Sequence, residues 1–275
     1  MTSSVPVPVV LIHGLWLHAS SWDNWMSLLT EHGYQPVAPG WPGEAATAQG
    51  CRDNPEPIAN HGIAEITDHF AAVIKDLAAP PIVIGHSFGG LIAERLLGMG
   101  LARGGVVIAP AQFRGVRKLP LVQLETAWPI LGHPGKKHGA VPLTQEQFAD
   151  GFANAVPRAE ADALYESLAI PSPALPLFEA ATANLSPHTA AAVDVRHERG
   201  PLLMIAGGLD RTVPAATVHA AYELEQKNPA VTEYQEFDGR SHSQVTDHNW
   251  RDVATYALDF LARNQLQAQA TAATP

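Results

Sequence analysis

IVIGHSFGGLIAERLL, residues Ile82 to Leu97, passes from an apolar β-branched run to helical spacing, with one serine, Ser87, held between glycines at the join. Its centre, GHSFG from Gly85 to Gly89, matches G-x-S-x-G. The pattern is weak alone and gains weight when a strand leads in and a helix leads out. Here PIVI precedes it and LIAERLL follows. So sharp a turn strains the serine backbone, and the flanking glycines remove Cβ atoms that would strike strand and helix. The helix N-terminus then aims free N–H groups and a partial positive charge toward the serine, where a developing oxyanion could be held.

A serine hydroxyl attacks only when a base takes its proton, and the base needs an orienting partner. Two later stretches supply both. AGGLDRTVP, Ala206 to Pro214, places Asp210 on a glycine-loosened turn after an apolar run, and FDGRSHSQV, Phe237 to Val245, places His242 in a loop before the last helical pattern. Asp238 and Asp247 compete with Asp210, and His248 competes with His242 from nearer the final helix. The oxyanion donors are expected to be the backbone amides of Phe88, directly after the serine, and of Leu15 in LIHGLWLHASSW, with Trp16 as the fallback. His13 and His86 read as structural, holding the loop and the turn by hydrogen bonds. Trp16, Trp128 and Val213 are expected to contact substrate. A metal site from His242, Asp247 and His248 would fit no zinc spacing, so no metal and no cofactor is expected.

Outward from the turn, six short apolar runs alternate with helical patterns: Val7 to Ile12, Gln35 to Ala38, Ile82 to Ile84, Val106 to Ile108, Leu202 to Ala206 and Val231 to Phe237. That rhythm, with runs apolar on both faces, predicts an α/β, doubly wound, mostly parallel six-stranded sheet. Ser20 or Ser21 is a suitable N-cap for a helix through Trp25, Leu28 and Leu29, and Gly33 ends it. Ile63, Ile66, Phe70, Val73, Ile74 and Leu77 share one face of a second helix, as do Val253, Tyr256, Ala257, Phe260 and Leu261 of the last. Gln112 to about Arg199 is proline-rich, shows no strand alternation and carries Trp128, Phe148, Phe152, Leu164, Tyr165 and Phe178. A bare loop that long is untenable in a compact domain. The organisation expected is a core from 1–111 and 200–266, a helical cap insertion at 112–199, and a disordered tail at 267–275.

The chain has 275 residues, 46% hydrophobic and 16% charged, in keeping with a globular protein that buries a substantial core. Its net charge of -10 argues against nucleic acid or an anionic membrane surface as the main partner and favours a small molecule. Cys51 is the only cysteine, so no internal disulfide forms. The N-terminal MTSSVPVPVVLIHG lacks a basic region, and no run reaches the roughly 20 apolar residues of a membrane span, so a cytoplasmic location is expected.

IHG after the first strand, GHSFGG at the turn, GGLDRTVP and GRSHS together resemble the α/β-hydrolase superfamily over nearly the whole chain. With no hairpin before the first strand, the sequence is similar to the compact branch that lacks the fold's first two strands, containing small carboxylesterases, methylesterases and hydroxynitrile lyases. GHSFGG and GGLDRTVP also resemble the cofactor-free haloperoxidase-like esterases. The order Ser87, Asp210, His242 is the one this superfamily uses. Its alternative acid position, after the fourth strand, reads IAPAQF and holds no carboxylate. The resemblance implies a serine nucleophile, histidine base, aspartate orienter and a cap over the pocket. An esterase or lactonase acting on a small or medium hydrophobic substrate is the leading expectation. Alternatives on the same three residues are perhydrolysis with halide oxidation and carbon–carbon bond cleavage or lyase activity, the last expected to use a lysine such as Lys118, Lys136 or Lys137. A ligand receptor that has kept the fold is a further alternative. Serine at position 87 argues against the dehalogenase and epoxide-hydrolase relatives, which need a carboxylate there. Phe88 argues against the cofactor-free dioxygenases, which carry histidine after the nucleophile.

Overall fold

The computed structural model describes residues 6–118 and 120–267, so nearly all of the expected tail lies outside the described residues. In chain order, β1 (Val7–Ile12) is followed by a 3-10 turn at Ala19–Trp22 and α1 (Asp23–Glu31), β2 (Tyr34–Val37), α2 (Ala48–Asp53), α3 (Ile63–Lys75), β3 (Ile82–His86), α4 (Phe88–Gly98) and β4 (Gly104–Ile108). Next come α5 (Leu121–Leu131), β5 (Ala140–Val141), α6 (Gln145–Gln147) running into a π-helical turn at Phe148–Phe152, α7 (Arg158–Leu168), β6 (Ser172–Pro173) and α8 (Leu175–Ala181). Then β7 (Leu202–Gly207), α9 (Ala215–Glu225), β8 (Thr232–Phe237) and α10 (Trp250–Arg263) complete the core.

The main sheet has the order β2-β1-β3-β4-β7-β8, and every neighbouring pair is parallel. Strand alternation divides the core between its two faces. Val10, Ile12, Val83, Val107 and Met204 pack with α3, α4 and α9, whereas Val9, Leu11, Ile84, Ile108 and Ile205 pack with α1 and α10. Each such side chain, fully buried, contributes about 1.5–3 kcal/mol. The chain leaves β1 for β2 on one side and leaves β3 for β4 on the other. That reversal opens a crevice at the C-terminal ends of β1 and β3, where ligands of open α/β sheets bind.

Three expectations change. β8 is half-exposed along most of its length and β2 buries only Tyr34 fully, because each is an edge strand with one neighbour, so neither is apolar on both faces. The cap of the first helical segment is His18, whose side chain accepts from the Ser20 amide, and not Ser20 or Ser21; a 3-10 turn precedes α1 and moves the cap upstream. The 112–199 segment is mainly helical but also holds a two-stranded antiparallel ladder, β5 with β6, too short to show alternation in sequence. Gly33, at φ 81°, ends the α1 region as expected.

Behind the sheet, Arg199 pairs with Glu225 at 3.0 Å with both side chains almost fully buried, and Glu94 on α4 lies beside them with neither carboxyl oxygen hydrogen-bonded. Burial, then the Glu225 carboxylate, push Glu94 well above the usual carboxylate range, and Arg199 offsets this only in part. A carboxyl whose folded pKa is raised stabilises the fold in its protonated form and loses that contribution as pH rises from its unfolded pKa through its folded one. Glu94→Gln cannot ionise. Its melting temperature relative to wild type should therefore climb as pH rises above about 4, where unfolded glutamate ionises; a difference that stays flat across the pH range in calorimetry would contradict this.

Candidate active site

Ser87 occupies the junction of β3 and α4 with φ 56° and ψ -124°, a strained conformation for a residue with a Cβ. Four hydrogen bonds hold it. Its amide donates to the Ile108 carbonyl at 3.0 Å, and its own carbonyl accepts from Gly90 at 2.9 Å, Leu91 at 3.2 Å and Ala111 at 2.9 Å. The glycines are required by close approach: a Cβ on Gly85 would lie 2.1 Å from the Gly89 carbonyl oxygen, and one on Gly89 would lie 2.1 Å from that of Ile12. A Cβ on Gly14 would lie 2.5 Å from the Cβ of Ser87, so the β1 loop and the serine turn touch.

The structure brings Asp210 and His242 together. His242 Nδ1 donates to Asp210 Oδ2 at 2.6 Å, with both side chains completely buried. The other carboxylate oxygen, Oδ1, accepts from the amides of Thr212 and Val213, each at 2.8 Å, which fixes the plane of the carboxylate. His86 Nε2 donates to the His242 carbonyl at 3.0 Å, while burial and the adjacent His242 hold the His86 ring well below the usual histidine pKa, in its neutral form. Phe152 packs edge-on to the His242 ring at 4.7 Å, and its carbonyl accepts from the Ser243 amide at 2.9 Å. These contacts leave His242 Nε2 buried with no partner among the described residues, and no hydrogen bond joins it to Ser87 Oγ. Such a bond is often long without substrate and tightens in the complex.

The competing side chains are committed elsewhere. Asp247 accepts from Arg240 at 2.9 Å, and His248 contacts Glu160 at 2.8 Å, so neither faces His242. His13 and His86 take part in loop contacts, in keeping with the structural roles read from the sequence.

Among the described residues, neither the Leu15 nor the Phe88 amide donates a hydrogen bond. The Trp16 amide is occupied, donating to Ser172 Oγ at 2.5 Å. Trp16 stands at φ 64°, with its indole N–H on the Val141 carbonyl at 3.0 Å and its own carbonyl accepting from the Ile170 amide at 3.1 Å. Sequence reasoning passed over two residues here. Ser172 comes from β6, more than 150 residues away, and no local pattern marks it. Glu44 lies 2.8 Å from His13 Nε2, accepts from the Ala19 amide at 2.8 Å and fixes the β1 loop from beneath. Burial pushes the Glu44 carboxyl up, but His13, the Ala19 amide and His18 outweigh it and leave it below its ordinary value. The buried acid in WPGEA was the only available signal.

A cavity of about 520 Å³ opens above Ser87. Trp16, Phe88, Leu143, Phe152, Leu177 and Val213 supply much of its apolar wall, and Glu125, Glu146 and Asp150 face it with a single cation, Arg211. Asp210 and His242, both buried, are not among its lining residues. Trp128 is the exception among the expected contacts: it is 68% exposed and does not line the cavity. Its indole lies back over Gly132, because the inward face of α5 is the one carrying Gln123 and Ile130.

A model of the alpha/beta hydrolase family matches residues 9–256, and the chain belongs to that family. No curated protein matches significantly. Solved structures with the same fold include an extracellular α/β-hydrolase from a Paenibacillus species, 20% identical, covering 92% of this chain and 98% of that one at a TM-score of 0.66. A monoacylglycerol lipase from Paleococcus ferrophilus is 21% identical over 95% of this chain and 98% of that one, with a TM-score of 0.65. A putative non-heme bromoperoxidase from Mycobacterium tuberculosis is 21% identical, covering 95% and 94% at 0.69.

Exposed substitutions away from caps and buried contacts change energies by less than about 0.5 kcal/mol, or about twofold. Trp128→Ala should accordingly leave kcat/KM within about twofold of wild type. A tenfold rise in KM would place the indole in the substrate path after all.

Proposed function

We propose that the protein is a serine hydrolase of the carboxylesterase type, acting on small or medium hydrophobic esters or lactones. The observation that carries this reading is the completely buried His242–Asp210 pair, 2.6 Å apart, set behind a cavity whose wall holds Ser87 in a strained turn. In this mechanism His242 Nε2 takes the Ser87 hydroxyl proton as Oγ attacks the ester carbonyl. The Leu15 and Phe88 amides stabilise the tetrahedral oxyanion. His242 then gives its proton to the leaving alcohol, and a water activated by the same nitrogen releases the acid from Ser87. Asp210 keeps its charge throughout and stabilises the imidazolium.

The 112–199 insertion serves as the cap in this reading, over a core of 1–111 and 200–266. It contributes Leu143, Phe152 and Leu177 to the cavity, an apolar lining suited to an uncharged acyl or alcohol group. The lyase alternative fits less well, since no lysine among the described residues lines that cavity. No helix among the described residues is long and apolar enough to cross a membrane, and the small-molecule substrate needs no such anchor. A cytoplasmic setting accords with the single, unpaired Cys51.

The test is hydrolysis of p-nitrophenyl esters from acetate to long acyl chains, by wild type and by Ser87→Ala. Turnover of short esters is expected, with kcat reduced on the order of a millionfold in the variant. Asp210→Asn, which supports the wrong imidazole tautomer, should lose roughly 10,000-fold. If wild type turns over no ester, or if Ser87→Ala keeps wild-type rates, the reading is wrong. Adding peroxide and assaying for peracid separates perhydrolysis from hydrolysis, because peroxide in place of water at the acyl-enzyme releases the peracid where water releases the acid.

A further inference from the structure

The cavity wall contains one polar group that the proposed chemistry does not use. Gln112 follows Ala111, whose amide is bonded to the Ser87 carbonyl, and it lines the same cavity as Ser87. Its Oε1 accepts from Gln123 Nε2 at 2.9 Å, and Gln123 Oε1 accepts in turn from Thr217 Oγ1 at 2.9 Å. Thr217 is completely buried on α9, and Gln123 is 7% exposed on α5. A chain of side-chain hydrogen bonds thus runs from a core helix, through the insertion, to the cavity wall.

Packing does not call for this chain. Leucine and valine would fill similar space without three polar side chains needing partners, and a buried amide left unpaired is destabilising. What the chain does is set orientation. With Gln112 Oε1 turned inward to Gln123, the Nε2 amino group is left over, and it has no hydrogen-bond partner among the described residues. The cavity that Gln112 lines has a largely apolar wall that includes Phe88, Leu177 and Val213.

We propose that Gln112 is a specificity-determining hydrogen-bond donor, and that the preferred substrate carries a second acceptor oxygen, a carbonyl or ether, beyond the scissile ester. Gln123 and Thr217 are positioning residues that hold the amide in its donating orientation. The inference rests on the hydrolase reading and narrows its substrate class from plain alkyl esters to oxygenated ones. A neutral hydrogen bond of this kind is worth about 0.5–1.5 kcal/mol net, or roughly 3- to 10-fold in kcat/KM.

The experiment compares esters of one leaving group and equal chain length, in which a methylene at successive positions is replaced by an ether or keto oxygen. Rates are normalised to alkaline hydrolysis of each ester. For wild type, Gln112→Met and Thr217→Val, the readout is the ratio of kcat/KM between oxygenated and plain members, which does not depend on how much of a variant is folded. Wild type should prefer at least one oxygenated member by about 3- to 10-fold. Gln112→Met should bring the ratio to about one, and Thr217→Val should lower it mainly through a higher KM for the oxygenated ester. A wild-type ratio of one at every position, or a ratio that Gln112→Met leaves unchanged, overturns the proposal while the hydrolase reading stands. Absence of turnover on every ester overturns both.

Discussion

Ser87 is held at φ 56° by hydrogen bonds to the end of β4, to the segment just after it and to the first turn of α4, and much of the architecture exists to make that conformation affordable. β3 must deliver the chain to the turn, α4 must start within one residue of it, and Gly85 and Gly89 must leave room for backbone within van der Waals reach. The parallel sheet supplies the remaining condition. It puts the C-terminal ends of β1, β3, β7 and β8 on one edge, so the loops carrying Leu15, Ser87, Asp210 and His242 converge although 227 residues separate the first from the last.

The insertion does more than roof this edge. Ser172 and Ile170 bond the backbone of Trp16, the Leu168 carbonyl accepts from the His18 amide, and the Phe152 carbonyl accepts from the Ser243 amide next to His242. Two of the loops that carry the proposed chemistry are therefore fastened to the same segment that lines the cavity. A change of packing in that segment would be felt at the β1 loop and at the histidine loop together, which links substrate fit to the geometry of the reacting groups.

Much of this was legible in the chain. All six core strands fall within about two residues of their expected bounds; the four inner strands, β1, β3, β4 and β7, are buried on both faces and write a strong apolar signal. Ser87, Asp210 and His242 were legible for a related reason: each sits at a strand end marked by glycine and polar residues. Trp128 misled because a large aromatic in an apolar stretch reads as inward-facing, and only the packing of α5 decides which face turns in. Ser172, Glu44 and the Gln112–Gln123–Thr217 chain were hidden because each acts through contacts with distant parts of the chain. Side-chain hydrogen bonds of that kind leave no periodicity behind.

Whether Ser87 is a nucleophile activated by His242 is tested most directly by covalent labelling. An alkyl fluorophosphonate is attacked at phosphorus by an activated serine Oγ with loss of fluoride, and the stable adduct is read by intact-mass and peptide mass spectrometry. One adduct per chain is expected, located on Ser87, formed by wild type and strongly suppressed in His242→Ala. An adduct elsewhere, or labelling of Ser87 at the same rate in both proteins, would contradict it.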